Sequence, residues 1–144
     1  MRQRERFSFL LMGQGGSGKT AIAQQVVLPT MDVVFPPDDN NLKSSLIVCS
    51  SWAQAENIST EEHRAVTCHN AAGMRVQSYR NKAMLPGAQK PRLEQNWSSR
   101  RLLVWEEVGM ISPALYNLLL CRASHGRAAS FDVPEAQYDK LQGV

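Results

Sequence analysis

Residues Gly13, Gln14, Gly15, Gly16, Ser17, Gly18, Lys19 and Thr20 place four glycines within eight positions and end on a lysine and a threonine. They match G-x-x-x-x-G-K-[ST], a pattern whose parts each have a physical task. Glycines reach backbone angles closed to other residues and let amide groups approach phosphate oxygens without side-chain obstruction. Successive N–H groups then form an anion-binding nest at the positive end of the following helix. Lys19 is expected to reach the β- and γ-phosphates of ATP, and the Thr20 hydroxyl to ligate Mg²⁺.

Such a site also needs acid at the end of a neighbouring strand, because ligands of open parallel sheets bind beyond the carboxyl ends of the strands. The run "RLLVWEEVGM" supplies it. Glu106 is the expected magnesium ligand, through water, and Glu107 the group that orients or deprotonates the attacking water.

These residues must be held by elements of matching kind. The apolar run Phe7–Met12 reads as a strand buried on both faces, leading into the glycine loop. "KTAIAQQVVL" has helical character and Pro29 is expected to stop it. Residues 29–45, rich in proline, aspartate and asparagine, read as a long surface connection. "SLIVCS" is a second strand, and "SWAQAENI" a short helix capped by Ser50 or Ser51. Ser59 and Glu62 have capping-box spacing, and "AVT" is a brief strand before a helix near Asn70. Residues 79–99 turn polar, with Pro86-Gly87 and Pro91, and read as a loop or insertion. "RLLVW" is a third strand. Ser112-Pro113 then opens a helix with Leu115, Leu118 and Leu119 on its apolar face and Gly126 as terminator. Strands alternating with helices imply an α/β fold with a mainly parallel sheet.

Size and composition narrow the classes. A chain of 144 residues is long enough for one domain with a core and too short for two ordinary ones. With 43% hydrophobic and 20% charged residues it fits a globular protein, and no apolar window is long enough to cross a bilayer. The basic N-terminus "RQRER" before a short apolar run resembles a signal peptide only superficially, since the run enters the glycine loop directly. Cys49, Cys68 and Cys121 lack paired spacing, which favours reduced thiols inside the cell; a zinc site on Cys68 and His69 lacks the remaining ligands. A net charge of +3 is too small to argue for nucleic acid by itself.

Four stretches in order, "GQGGSGKT", "VCSSWAQAENI", "AVTCHNAAGM" and "LLVWEEVGMISPALYNLL", resemble the PIF-family (petite integration frequency) DNA helicases, members of superfamily one related to RecD-type enzymes. That family's first motor domain carries a Walker A loop, then A-x-T-G-x-A-A-x-x-I, a T-x-H element and V-V-D-E-I-S-M-I. The resemblance runs from about Phe7 to Gly126. It implies a P-loop NTPase of RecA-like three-layer architecture over residues 1–144, apparently truncated, using ATP and Mg²⁺. It further implies 5′-to-3′ movement on single-stranded DNA, with roles in repair, recombination and telomere maintenance. Such a protein would be intracellular, in nucleus or mitochondrion if eukaryotic, with no membrane partner.

Residue by residue, Gly18, Lys19 and Thr20 fall on the family's nucleotide-binding positions and Glu107 on its catalytic glutamate. Ser51 lies where the second element approaches DNA, and Thr67 and His69 match the T-x-H element. Trp52 has two readings, a base-stacking platform or a core residue, with core preferred. The family's magnesium-ligating aspartate is Glu106 here, one methylene longer. The chain ends before the family's G-D-x-x-Q-L-P-P element and second RecA-like domain, so negligible unwinding is expected of it alone. The alternative is a nucleotide-binding module without useful turnover. A small-molecule kinase fits less well, because "SSWAQAENIST" holds no arginine for a phosphate-acceptor lid.

Overall fold

The computed structural model describes residues 10–74 and 90–128. Its centre is a three-stranded, wholly parallel sheet of order β2-β1-β3: β1 (Ser45–Cys49), β2 (Ala65–Thr67) and β3 (Leu102–Trp105). Ile47, Val48 and Cys49 lie opposite Ala65, Val66 and Thr67, and Ser45 to Val48 opposite Leu102 to Trp105. All five residues of β1 are buried, which is why this strand reads as an unbroken apolar run.

Alternate residues of β1 feed two cores, as the period of two requires. Ile47 and Cys49 pack with Leu28, Ala55 and Ile58, from α2 (Leu28–Val34) and α3 (Trp52–Ile58). Leu46 and Val48 face the other side, against α4 (Cys68–Ala71), α5 (Lys90–Trp97) and α6 (Pro113–Ala128). Helices therefore cover both faces of the sheet, and the α/β expectation holds. Leu28, Ile47 and Leu119 are the largest fully buried side chains. Each is worth about 1.5–3 kcal/mol relative to exposure.

Several elements differ from what the sequence suggests. Leu10, Leu11 and Met12 are exposed and form no strand, while Phe7–Phe9 lie outside the described residues. Pro29 does not end the first helix. α1 (Lys19–Ile22) passes into a π turn (Ala23–Val27), then into α2 through Pro29 to Val34. The Leu28 N–H bonds to the Ala23 carbonyl, five residues back. This wider turn directly precedes a proline that can neither donate the usual bond nor sit tightly against the preceding turn. The stop comes at Phe35, in front of Pro36-Pro37.

The polar stretch around residues 90–97 is the helix α5, anchored by only two buried apolar residues at i, i+4 spacing, Leu93 and Trp97. The Trp97 indole N–H donates to the Ala71 carbonyl at 3.0 Å. Residues 79–89 lie outside the described residues. Gly126 lies within α6 and does not terminate it. A Cβ there would stand 2.7 Å from the Trp97 Cβ and 2.8 Å from the Leu93 carbonyl oxygen, so glycine is what lets α5 and α6 meet. Ser59 caps no helix with Glu62; its hydroxyl donates to the Ala55 carbonyl and accepts from the Ala65 N–H. Ser112 caps α6 as expected, its hydroxyl accepting from the Leu115 N–H at 3.3 Å.

Candidate nucleotide site

The glycine loop runs from Gly13 to Gly18 and hands directly into α1. Gly16 and Gly18 have φ of 76° and 85°, the left-handed region that glycine enters without cost. Gly13 is tight for another reason, since a Cβ there would lie 2.6 Å from the Ser17 hydroxyl. The Ser17 N–H closes a turn on the Gln14 carbonyl at 3.2 Å. A Cβ added at Gly15, Gly16 or Gly18 would meet nothing within 4 Å, so that face of the loop is open. The Lys19 ammonium folds back along the loop, donating to the carbonyls of Gly13 at 2.8 Å and Gln14 at 2.9 Å. It is exposed there, with donors that an anion in the loop would share.

The loop meets the sheet at one bond. The Thr20 hydroxyl donates to Glu106 Oε1 at 2.7 Å across 86 residues of sequence. Glu106 follows β3 directly, and its N–H donates to the Val48 carbonyl at 3.0 Å, which extends the ladder one residue past the strand. Glu107 then takes left-handed angles (φ 51°, ψ 53°), rare for a residue with a side chain. The turn separates the two carboxylates. Glu106 Oε1 receives Thr20, and Glu107 Oε2 receives the Gln54 amide at 2.7 Å.

Gln54 is the residue that the sequence reading omits. Ser51 caps α3 with a full capping box: its hydroxyl accepts from the Gln54 N–H, and the Gln54 side-chain oxygen accepts from the Ser51 N–H. The spacing S-x-x-Q announces that box. Its second partner, Glu107, lies 53 residues further on and has no local signal.

The four DNA-contact candidates all lie at or just beyond the carboxyl ends of β1 and β2. Ser51 and Trp52 open α3 on the surface, with Trp52 60% exposed, so the core reading of this tryptophan is corrected. Thr67 is buried and caps α4, its hydroxyl accepting from the Asn70 N–H, while His69 is half-buried on that helix. Beneath the acidic pair, burial pushes the Cys49 thiol up to about 11, with Glu106, Cys68 and Glu107 adding to the effect. Cys49 and Cys68 are fully buried and act as small apolar groups.

The donor set suits a magnesium nucleotide: an ammonium and loop amides for the phosphates, a hydroxyl and a carboxylate for the metal, and a second carboxylate set apart for water. At the other end of the sheet, donor atoms of Asp32, Glu62 and His63 lie within 4.8 Å of one another. There the Lys43 ammonium already sits 2.5 Å from Asp32 Oδ2, with His63 Nε2 at 3.0 Å. Burial raises the Asp32 carboxyl, but the hydrogen bond from Lys43 and the charges of His63 and Lys43 outweigh it and hold the group below its ordinary value.

Fold and site together define an α/β chain with a glycine loop and an acidic pair at the carboxyl end of a parallel sheet. No protein-family model, curated protein or solved structure matches it. Among the described residues, no helix is long and apolar enough to cross a membrane.

Proposed function

We propose that this chain is an ATP-binding P-loop unit, with a RecA-like core, of an ATP-dependent DNA helicase. The observation that carries the nucleotide reading is the Thr20–Glu106 bond, which joins the glycine loop to the carboxyl end of β3. A glycine turn serving only to reverse the chain has no need of a hydroxyl aimed at a carboxylate.

Lys19 and the loop amides would hold the β- and γ-phosphates, and Thr20 and Glu106 the Mg²⁺. Bound Mg²⁺ would supply neutralisation of phosphate charge. Lys19 already has its ammonium over the loop, so exchanging two carbonyls for phosphate oxygens requires no change of fold. Glu107 has one carboxylate oxygen held by Gln54, leaving Oε1 to orient water or accept its proton. The exposed Trp52 ring supports the DNA half of the reading, as a stacking surface indifferent to base identity. Movement along DNA, its 5′-to-3′ sense and roles in repair, recombination or telomere maintenance belong to the resemblance and to a motor with two such domains.

The test is uptake of a fluorescent ATP analogue at millimolar Mg²⁺, followed by hydrolysis with and without oligothymidine. Saturable, Mg²⁺-dependent binding is expected, and stimulation of hydrolysis by the oligonucleotide in a longer chain carrying both motor domains. A folded protein that takes up no nucleotide sinks the proposal. Binding without turnover, even in the longer chain, would favour a module that only holds nucleotide, a reading to which the Glu106 replacement gives some weight.

A further inference from the structure

We propose that Gln54 is the positioning residue for Glu107, fixing which way the water-orienting carboxylate points. This rests on the nucleotide reading above and goes beyond it, since the pattern A-x-T-G-x-A-A-x-x-I carries alanine at the position Gln54 occupies.

Three observations carry it. First, the Gln54 amide nitrogen donates to Glu107 Oε2 at 2.7 Å and touches Met110 Sδ at 3.5 Å, so it spans from α3 to both ends of the short 3₁₀ turn that follows β3. Second, its orientation is fixed from the other side. The Gln54 oxygen faces the Ser51 N–H, which can only donate, and the Ser50 hydroxyl. Flipping the amide would set NH₂ against that N–H and an oxygen against a carboxylate, two repulsive contacts in place of two bonds. Third, Glu107 has left-handed backbone angles, a conformation that persists where the surroundings impose it. Its neighbour Glu106 is already committed to Thr20. One side chain thus performs two tasks: its oxygen closes the capping box of α3, and its nitrogen sets Glu107.

The two tasks can be separated. Glutamate is the ordinary partner in a capping box, so Gln54→Glu keeps the oxygen that Ser51 needs and replaces the donor facing Glu107 by a like charge. Gln54→Ala loses both. The protein would be compared with both variants in single-turnover hydrolysis of Mg²⁺-ATP, alongside nucleotide affinity, thermal unfolding and side-chain amide NMR of Gln54. The expected result for Gln54→Glu is hydrolysis lowered about tenfold or more, with nucleotide affinity within about twofold and unfolding temperature nearly unchanged. Glu107→Ala should move the Gln54 side-chain amide resonance.

Equal hydrolysis in Gln54→Glu overturns the proposal, as does a Gln54 amide indifferent to Glu107→Ala. Loss of hydrolysis only in step with nucleotide affinity also overturns it, because Gln54 would then support the fold or the loop and not the carboxylate. Wild-type protein that binds nucleotide in a Lys19-dependent way yet never turns it over removes the positioning role while leaving the nucleotide site standing. Absence of Lys19-dependent uptake is the separate failure of the function proposed above.

Discussion

The two ends of the sheet solve the same problem differently. At the amino end, polar side chains are spent on their neighbours: Arg100 donates to the carbonyls of Lys43, Ser45 and Asn96, and Lys43 and His63 converge on Asp32. These groups tie the loop after α2 and the start of each strand to one another. At the carboxyl end, Lys19, Gln54 and Glu107 stand at or near the surface, and the bonds they make span the glycine loop, α3 and the turn after β3. Among the described residues, Lys19 bonds to carbonyls of its own loop, which water or a ligand can replace. Charge at the amino end ties the chain to itself, whereas under the function proposed above the charge at the carboxyl end would meet a ligand.

The sharpest way to break that contrast is a pair of substitutions, one at each end. Lys19→Ala removes the ammonium that the loop presents and should weaken Mg²⁺-nucleotide binding roughly a hundredfold, the worth of two hydrogen bonds from a charged donor. Its unfolding free energy should change by less than about 0.5 kcal/mol, because the side chain is exposed. Arg100→Ala should do the reverse. Three carbonyls lose a charged donor, at a cost of about 3 kcal/mol in denaturant unfolding, and nucleotide affinity per folded molecule stays the same. If Arg100→Ala abolished binding in folded protein, or Lys19→Ala unfolded the chain, the division between the ends would be wrong.

The same division governs what the sequence reveals. "SLIVC", "AVT" and "LLVW" are legible as strands because a parallel sheet between helices selects apolar runs, fully buried in β1 and half-buried in β3. Ser112, with Ser51 as one of two candidates for α3, is legible as a cap because capping is local. Pro29 misleads, since a π turn in the preceding residues is invisible in composition. Gly126 misleads too: its reason is the close approach of Leu93 and Trp97 on another helix, not a helix end. At the site, Lys19, Thr20, Glu106 and Glu107 are legible from type and position. Gln54 is not, because its meaning lies in a carboxylate 53 residues away, and neither is the meeting of Asp32, Lys43 and His63.

That meeting provides a finer test of the amino end. Asp32 is held below its ordinary value, so its contribution is complete above the unfolded carboxylate pKa of about 3.9 and is lost as pH falls through the lower folded value. Asp32→Asn should therefore cost about 1.5 kcal/mol at neutral pH and make the acid limb of the stability profile shallower below about pH 4. Urea titrations of both proteins at successive pH values would measure this. Parallel acid limbs would mean that Lys43 and His63 hold each other's loops by packing and not through the carboxylate.

The smallest expected effect lies at Glu106. Glu106→Asp shortens the side chain by one methylene, or ~1.5 Å of reach. The Thr20 hydroxyl then loses its direct 2.7 Å acceptor, at about 1 kcal/mol of stability for one partly buried hydrogen bond. With Mg²⁺-nucleotide present the balance would change, because Thr20 and residue 106 would then hold the metal and its water in place of each other, and the shorter carboxylate would leave more room for that water. Nucleotide affinity should stay within a few-fold of the parent protein, and any hydrolysis should be kept or raised. A sharp fall in affinity would mean that the loop needs the longer side chain to hold Thr20 in place before ligand arrives. The carboxyl end would then share some of the self-sufficiency that marks the amino end.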